Sequence, residues 1–201
     1  MLQHVLIGDA APALALVALR GPLMFFMLPA PFLRGLSRIA WLRTLLRVLL
    51  RPSVSLAAWM LVIAAWHVPA AYDYALRDQT VHDLEHVSFM LAGVLVWMQI
   101  VDPARRRHLS ISQRIGYMLA LSGGGAVLAA LLVFARPLYP AYAGSFGLTA
   151  QEDQQLAGIV MIGEQLAALG LCGRLMLRAE AGYARRAASI ASRRFRALPA
   201  R

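Results

Sequence analysis

The chain has 201 residues, 60% of them hydrophobic, with a mean hydropathy of +0.61 and 20 arginines, no lysine, against 10 acids. A soluble domain of this size carries more charge and shorter apolar runs, so the composition excludes an ordinary globular protein and points to an all-α polytopic transmembrane helix bundle. The formal charge of +10 would suggest nucleic acid only in a soluble chain; here its distribution about a lipid bilayer accounts for it, and no nucleic-acid partner is expected.

In chain order, five segments are apolar over the ~20 residues that cross a bilayer, at roughly 3–20, 53–71, 81–101, 114–135 and 154–176. The first contains Asp9 and Pro12 and ends at Arg20-Gly21-Pro22, so the "PLMFFMLPAPF" after it is expected along the interface or at the end of an oblique crossing. Met1 precedes neither a basic region nor a small-residue cleavage site, and no secretory signal is expected. Arg34, Arg38, Arg43, Arg47 and Arg51 then recur at helical spacing among leucines, as in an amphipathic helix lying on an anionic leaflet.

Arg105, Arg106, Arg107 and Arg114 follow the third span. In the tail, Ala184, Ala187, Ala191, Phe195 and Leu198 form an apolar stripe against Arg185, Arg186, Arg193, Arg194 and Arg196. The basic regions fall on one side of the membrane, which the positive-inside rule makes cytoplasmic. Connections 72–80 and 136–153, poor in arginine, fall outside. The N-terminus is therefore expected outside and the C-terminus inside, with residues 1–177 as the bundle and 178–201 as a basic amphipathic tail. Both basic stretches read as membrane anchors. The "SGGGA" at 122–126 permits close helix approach.

Orientation sorts the polar groups. His4, His67, His82 and His86 lie at outer helix ends with Asp9, Asp73, Asp78, Asp83, Glu85, Glu152 and Asp153, and only His108 belongs to a cytoplasmic loop. In "VHDLEHVSFM", His82 and His86 share one helix face with Glu85 beside them. Pro69 ends the second helix near His67, and the short connection makes helices two and three antiparallel neighbours, so His67 is expected to approach His82 and His86. Thr80 with Asp83 reads as a capping pair. Met90 stands ~6 Å deeper than His86 on the same face, and Met60 two turns inside His67.

Several chemistries fit these residues. Imidazole with thioether suits copper, particularly Cu(I), and imidazole with carboxylate suits zinc or iron. "HDLEH" also fits H-x-x-E-H, in which Glu85 would be the base of a membrane metallohydrolase with Glu152, Asp153 or Glu164 as third ligand. Outer-end histidines bonded to water and backbone would instead make a metal-free scaffold. Met60, Met90 and Met161 are ordinarily core filler. Cys172 stands alone, which excludes an intrachain disulfide or a Cys-x-x-Cys carrier. Glu164, near mid-membrane, is a functional candidate unless it pairs with Gln99 or Arg136.

"MLQHVLIGDAAPALALVALRGPL", "WHVPAAYDYAL", "VHDLEHVSFMLAGVLVW", "PLYPAYA" and "EDQQLAGIVM" stand in the order and at about the intervals of one family. Over roughly residues 1–165 the chain resembles the CtaG family of caa(3)-type cytochrome c oxidase assembly factors. The resemblance implies a non-catalytic, multi-pass protein of the bacterial cytoplasmic (inner) membrane that serves cytochrome c oxidase subunits at copper delivery, with a periplasmic copper donor as second partner. It marks His4, His67, His82, Glu85, His86, Asp153 and Met161. With Met90 from the helix geometry, the expected copper set is His4, His67, His82, His86, Met90, Asp153 and Met161, with Glu85, Asp9 and Asp73 as acceptors that orient the imidazoles. The favoured core of that set is His67, His82 and His86, with His4 as a fourth candidate. The chain begins inside the first motif, where relatives often carry a further histidine and one or two more spans. "MIGEQ" stands where many relatives read "MW", so Glu164 is a departure.

Overall fold

The computed structural model describes residues 2–18, 30–102, 109–139 and 147–196. Residues 22–29 of the interfacial stretch expected at "PLMFFMLPAPF", the loop with His108 and the side chains of the tail's apolar stripe lie outside them. Among the described residues every regular element is a helix. Helix α1 comprises Leu2–Val5, a π-helical turn Leu6–Ala10 and Ala11–Ala18. Then follow α2 (Ala30–Arg38), α3 (Ala40–Leu49), α4 (Pro52–Trp66), α5 (Pro69–Arg77), α6 (Gln79–Val101), α7 (Ile111–Phe134) and α8 (Ala150–Arg196).

Local chemistry sets these boundaries. Pro52 and Pro69 open α4 and α5, where a missing N–H costs nothing. Ser110 and Gln113 form a capping box at the start of α7, and Thr149 with Glu152 makes the same reciprocal pair before α8, with Thr149 N donating to Glu152 Oε2 at 2.8 Å. The cap of α6 is Asp78 rather than Thr80: its carboxylate accepts from the N–H groups of Thr80 at 2.8 Å and Val81 at 3.1 Å.

Among the described residues three helices are long and apolar enough to cross a membrane, Gln79–Val101, Ile111–Phe134 and Ala150–Arg178; α3 and α4 qualify together as a pair bent by 80°, which makes four. The chain is thus a multi-pass membrane protein, with three to four of the five expected crossings present as candidate spans among the described residues. The apolar run Gln3–Ala18 and α4 alone measure about 22–24 Å at 1.5 Å per residue, against a hydrocarbon core of ~30 Å. Segment 53–71 is not one helix, because Val68, held extended ahead of Pro69, breaks it and the remainder turns away as α5. The basic amphipathic stretch likewise divides at Ile39, also extended, into α2 and α3; Trp41, Leu45, Leu46 and Val48 stand exposed on α3.

Helix α6 occupies the centre, packed by α1, α4, α5 and α7, while α8 lies along α7. Lipid offers little hydrophobic drive between helices, so close packing and polar contacts have to hold the bundle. Trp59, Val96, Trp97, Ile100 and Leu121 fill the core. Beside it, α1 approaches α6 so closely that a Cβ on Gly93 would strike the carbonyl oxygen of Gly8 and the ring of Pro12. Trp66 Nε1 donates to Ser88 Oγ at 2.7 Å, joining α4 to α6.

The last carbonyls of α7 have no partner within their own helix. Amides on α8 supply them: Gln154 Nε2 donates to Leu132 O at 2.9 Å, Gln155 to Val133 O at 3.0 Å and Gln151 to Ala135 O at 3.0 Å. "QEDQQ" is therefore an inter-helix cap as well as a polar helix start. Helix α8 continues unbroken past Arg178 to Arg196, so the tail extends the last span.

Candidate metal centre

His82 and His86 project from the first turns of α6, with ring centroids 4.2 Å apart. Helix α1 runs parallel to α6 and brings its own first turn to the same place. The ring of His4 lies 5.0 Å from that of His86 and 5.8 Å from that of His82. One ligand atom of each residue lies within 4.8 Å of those of the other two. Glu85 Oε1 stands 3.7 Å from His4 Nδ1, on a side chain only 2% exposed. His86 Nε2 is buried without a hydrogen-bond partner.

His67 does not join this trio. It caps α4 and its Nδ1 is held 2.8 Å from Ile63 O, one turn back on its own helix, which turns the ring along α4 rather than across to the His82–His86 face. The place beside that face belongs to α1. The buried, unpartnered Nε2 of His67 and the ring of His4 instead line a cavity of about 60 Å³ beneath the trio, with Asp9, Met161 and Glu164. The π-helical turn closes its ring five residues on, which carries Asp9 round beneath His4 into this cavity. Asp9 accepts from Trp97 Nε1 and is within hydrogen-bond reach of Glu164. Glu164 thus meets a carboxyl from α1 rather than Gln99, whose amide donates to Leu50 O at 3.1 Å.

The other expected residues are dispersed. Met90 is half-buried on α6, one turn beyond His86. Asp153 lines a separate small cavity with Tyr72, Tyr139 and Gln154, and its Oδ2 is buried without a partner, as is Asp73 Oδ1. Tyr139, outside the spans, donates to His67 O at 3.3 Å; burial and then the charges of Asp73 and Glu85 push its phenol up to about 12. Glu152 is occupied as a cap and Met60 packs against Gly124.

Metal–imidazole bonds are ~2.0–2.1 Å long, so nitrogens on one ion stand within ~4 Å of each other. The ligand atoms of the trio, all within 4.8 Å of one another, stand close to that range. A half-buried set of three imidazoles, one nitrogen unpartnered and a carboxylate beside it, fits a transition-metal ion.

A family model matches residues 1–181 of the chain; the family is described as cytochrome c oxidase caa3 assembly factor (Caa3_CtaG). No curated protein and no solved structure matches.

Proposed function

The chain belongs to the cytochrome c oxidase caa3 assembly factor family, and from that premise we propose that it holds copper on His4, His82 and His86 for delivery to the oxidase. The observation that carries this reading is the meeting of three imidazoles from two separate helices at one end of the bundle. Copper accepts imidazole donors, and three of them without a thiolate leave room for a recipient's ligand. The arginine distribution supports reading this end as the periplasmic one in a bacterial cytoplasmic membrane, where a soluble donor and an oxidase subunit can reach it.

Glu85 acts on the site through His4. Its carboxylate stands 3.7 Å from His4 Nδ1, close enough to orient the imidazole by its charge. That position favours orientation over the role of a hydrolytic base, and the reading is of a binding protein rather than an enzyme. Asp9 and Asp73 add negative charge that raises the local cation concentration.

The test is a metal count. Full-length protein in detergent is loaded with Cu(I) or Zn(II), passed over a desalting column and compared with His4→Ala, His82→Ala, His86→Ala and His67→Ala. Each of the first three substitutions should abolish tight binding, and His67→Ala should retain it. Stoichiometry indifferent to the first three would sink the proposal. Oxidase copper content in a deletion strain carrying the same variants should follow the same order.

A further inference from the structure

Helices α7 and α8 are close at the histidine end and part toward the arginine end. A Cβ on Gly158 would come within 2.8 Å of Ala129 O and Val133 Cγ2. Four turns on, a Cβ on Gly173 would meet only Met118 Cε, at 3.4 Å, and one on Gly170 would meet nothing within 4 Å. The helices therefore enclose a groove of about 660 Å³, within the ~300–1,000 Å³ of ordinary ligand sites. Its wall is apolar, with Ile115, Met118 and Leu119 on α7 facing Leu166, Leu169 and Leu177 on α8.

Two cations complete it. Arg174 and Arg178 line the same groove, at the end of the apolar part of α8, and both are exposed. Among the described residues neither has a carboxylate partner, whereas Arg114 at the same end is spoken for by Asp102 at 2.8 Å and Ile100 O at 3.2 Å. An apolar cleft inside a bilayer cannot be filled by water without cost, and hydrocarbon fills it well. Guanidinium groups at the level of the headgroups present forked donors that match phosphate oxygens. An apolar helix from another protein would fill the cleft but leave those forks unmatched.

We propose that the α7–α8 groove binds an anionic phospholipid, its acyl chain along Met118, Leu166 and Leu169 and its phosphate between Arg174 and Arg178. The site is separate from the histidine trio and does not depend on metal. It gives the splayed end of the bundle the packing that protein side chains do not supply.

Full-length protein in mixed micelles of equal phosphatidylglycerol and phosphatidylcholine, after detergent exchange, can be read for retained lipid by native mass spectrometry. At about fivefold per arginine near the headgroups, the wild type should retain phosphatidylglycerol roughly 25-fold over phosphatidylcholine. Arg174→Gln with Arg178→Gln should bring that preference near unity. Gly170→Phe, which projects into open groove, should lose both lipids. Equal retention of the two lipids by the wild type, or a preference unchanged in the double arginine variant, would overturn the proposal. A co-purifying polypeptide displaced by Gly170→Phe, with no lipid retained, would do so as well. The arginine substitutions lie at exposed positions, so the double variant reads the site even if Gly170→Phe fails to fold.

Discussion

At the histidine end, His4, His82, His86 and Glu85 sit half-buried or buried between α1 and α6, each near another member of the group; at the arginine end, Arg43, Arg47, Arg174 and Arg178 stand exposed at helix surfaces. The contrast separates two uses of polar residues in a membrane protein. Arginines at an interface extend their stems along apolar surface and keep the charge in water or headgroups, at little cost. Imidazoles and carboxylates drawn inward between helices have to be satisfied by one another or by something bound. The first pattern anchors the protein and the second is where its specific chemistry is to be sought.

The comparison breaks most sharply if the inner group is separated without touching it. Gly93 lets α1 lie against α6, since a side chain there would strike Gly8 O and Pro12. Gly93→Val should cost about 3 kcal/mol or more in thermal unfolding measured in detergent. It should also abolish metal binding, because His4 rides on α1 while His82 and His86 ride on α6. Metal binding at wild-type level in a destabilised Gly93→Val protein would show that His4 is dispensable.

Next in size is Gln154→Leu. It leaves Leu132 O without its amide donor and Leu138 N without the side-chain oxygen it donates to at 2.8 Å. A loss of about 2–3 kcal/mol is expected for the two unsatisfied backbone groups, with metal stoichiometry intact. Loss of metal in this variant would mean that the α7–α8 pair and the trio are coupled. Smaller again is Glu85→Gln, which keeps the shape of the site but not its charge. Metal affinity should fall about tenfold while stoichiometry at saturation is kept, as read by competition with a chromophoric chelator.

How much of this could be read beforehand differs between depth and direction. The gathering of His4, His67, His82 and His86 at one end followed from helix order and arginine placement, and the common face of His82 and His86 followed from their spacing. Sequence gives the depth of a residue along its helix, but not which neighbour that face meets. His67 has the right depth, yet its ring is held by Ile63 O, and the π-helical turn that aims Asp9 toward Glu164 shifts the register of α1 in a way no apolar period reveals. The break at Pro69 was legible; that residues 69–77 would fold back as α5 rather than finish a span was not, because their alternation of Tyr, Asp and Ala suits either. Nothing in the spacing of the glutamines of α8 tells that antiparallel α7 puts its bare carbonyls beside them.

The smallest effect sharpens the other half of the contrast. Trp41 is 67% exposed on α3, with Leu45 and Val48 on the same stripe and Arg43 and Arg47 turned away from Trp41, as expected for a helix lying in the headgroup layer. Emission that is lost in Trp41→Phe should be quenched by brominated lipid in nanodiscs containing phosphatidylglycerol. Arg43→Gln with Arg47→Gln should weaken that quenching severalfold in anionic discs and hardly at all in neutral ones. Unfolding temperature and metal content should not move, because neither guanidinium contributes to the packing around α6 or to the trio. A fall in metal content would tie the surface helices to the site and remove the division of labour between the two ends.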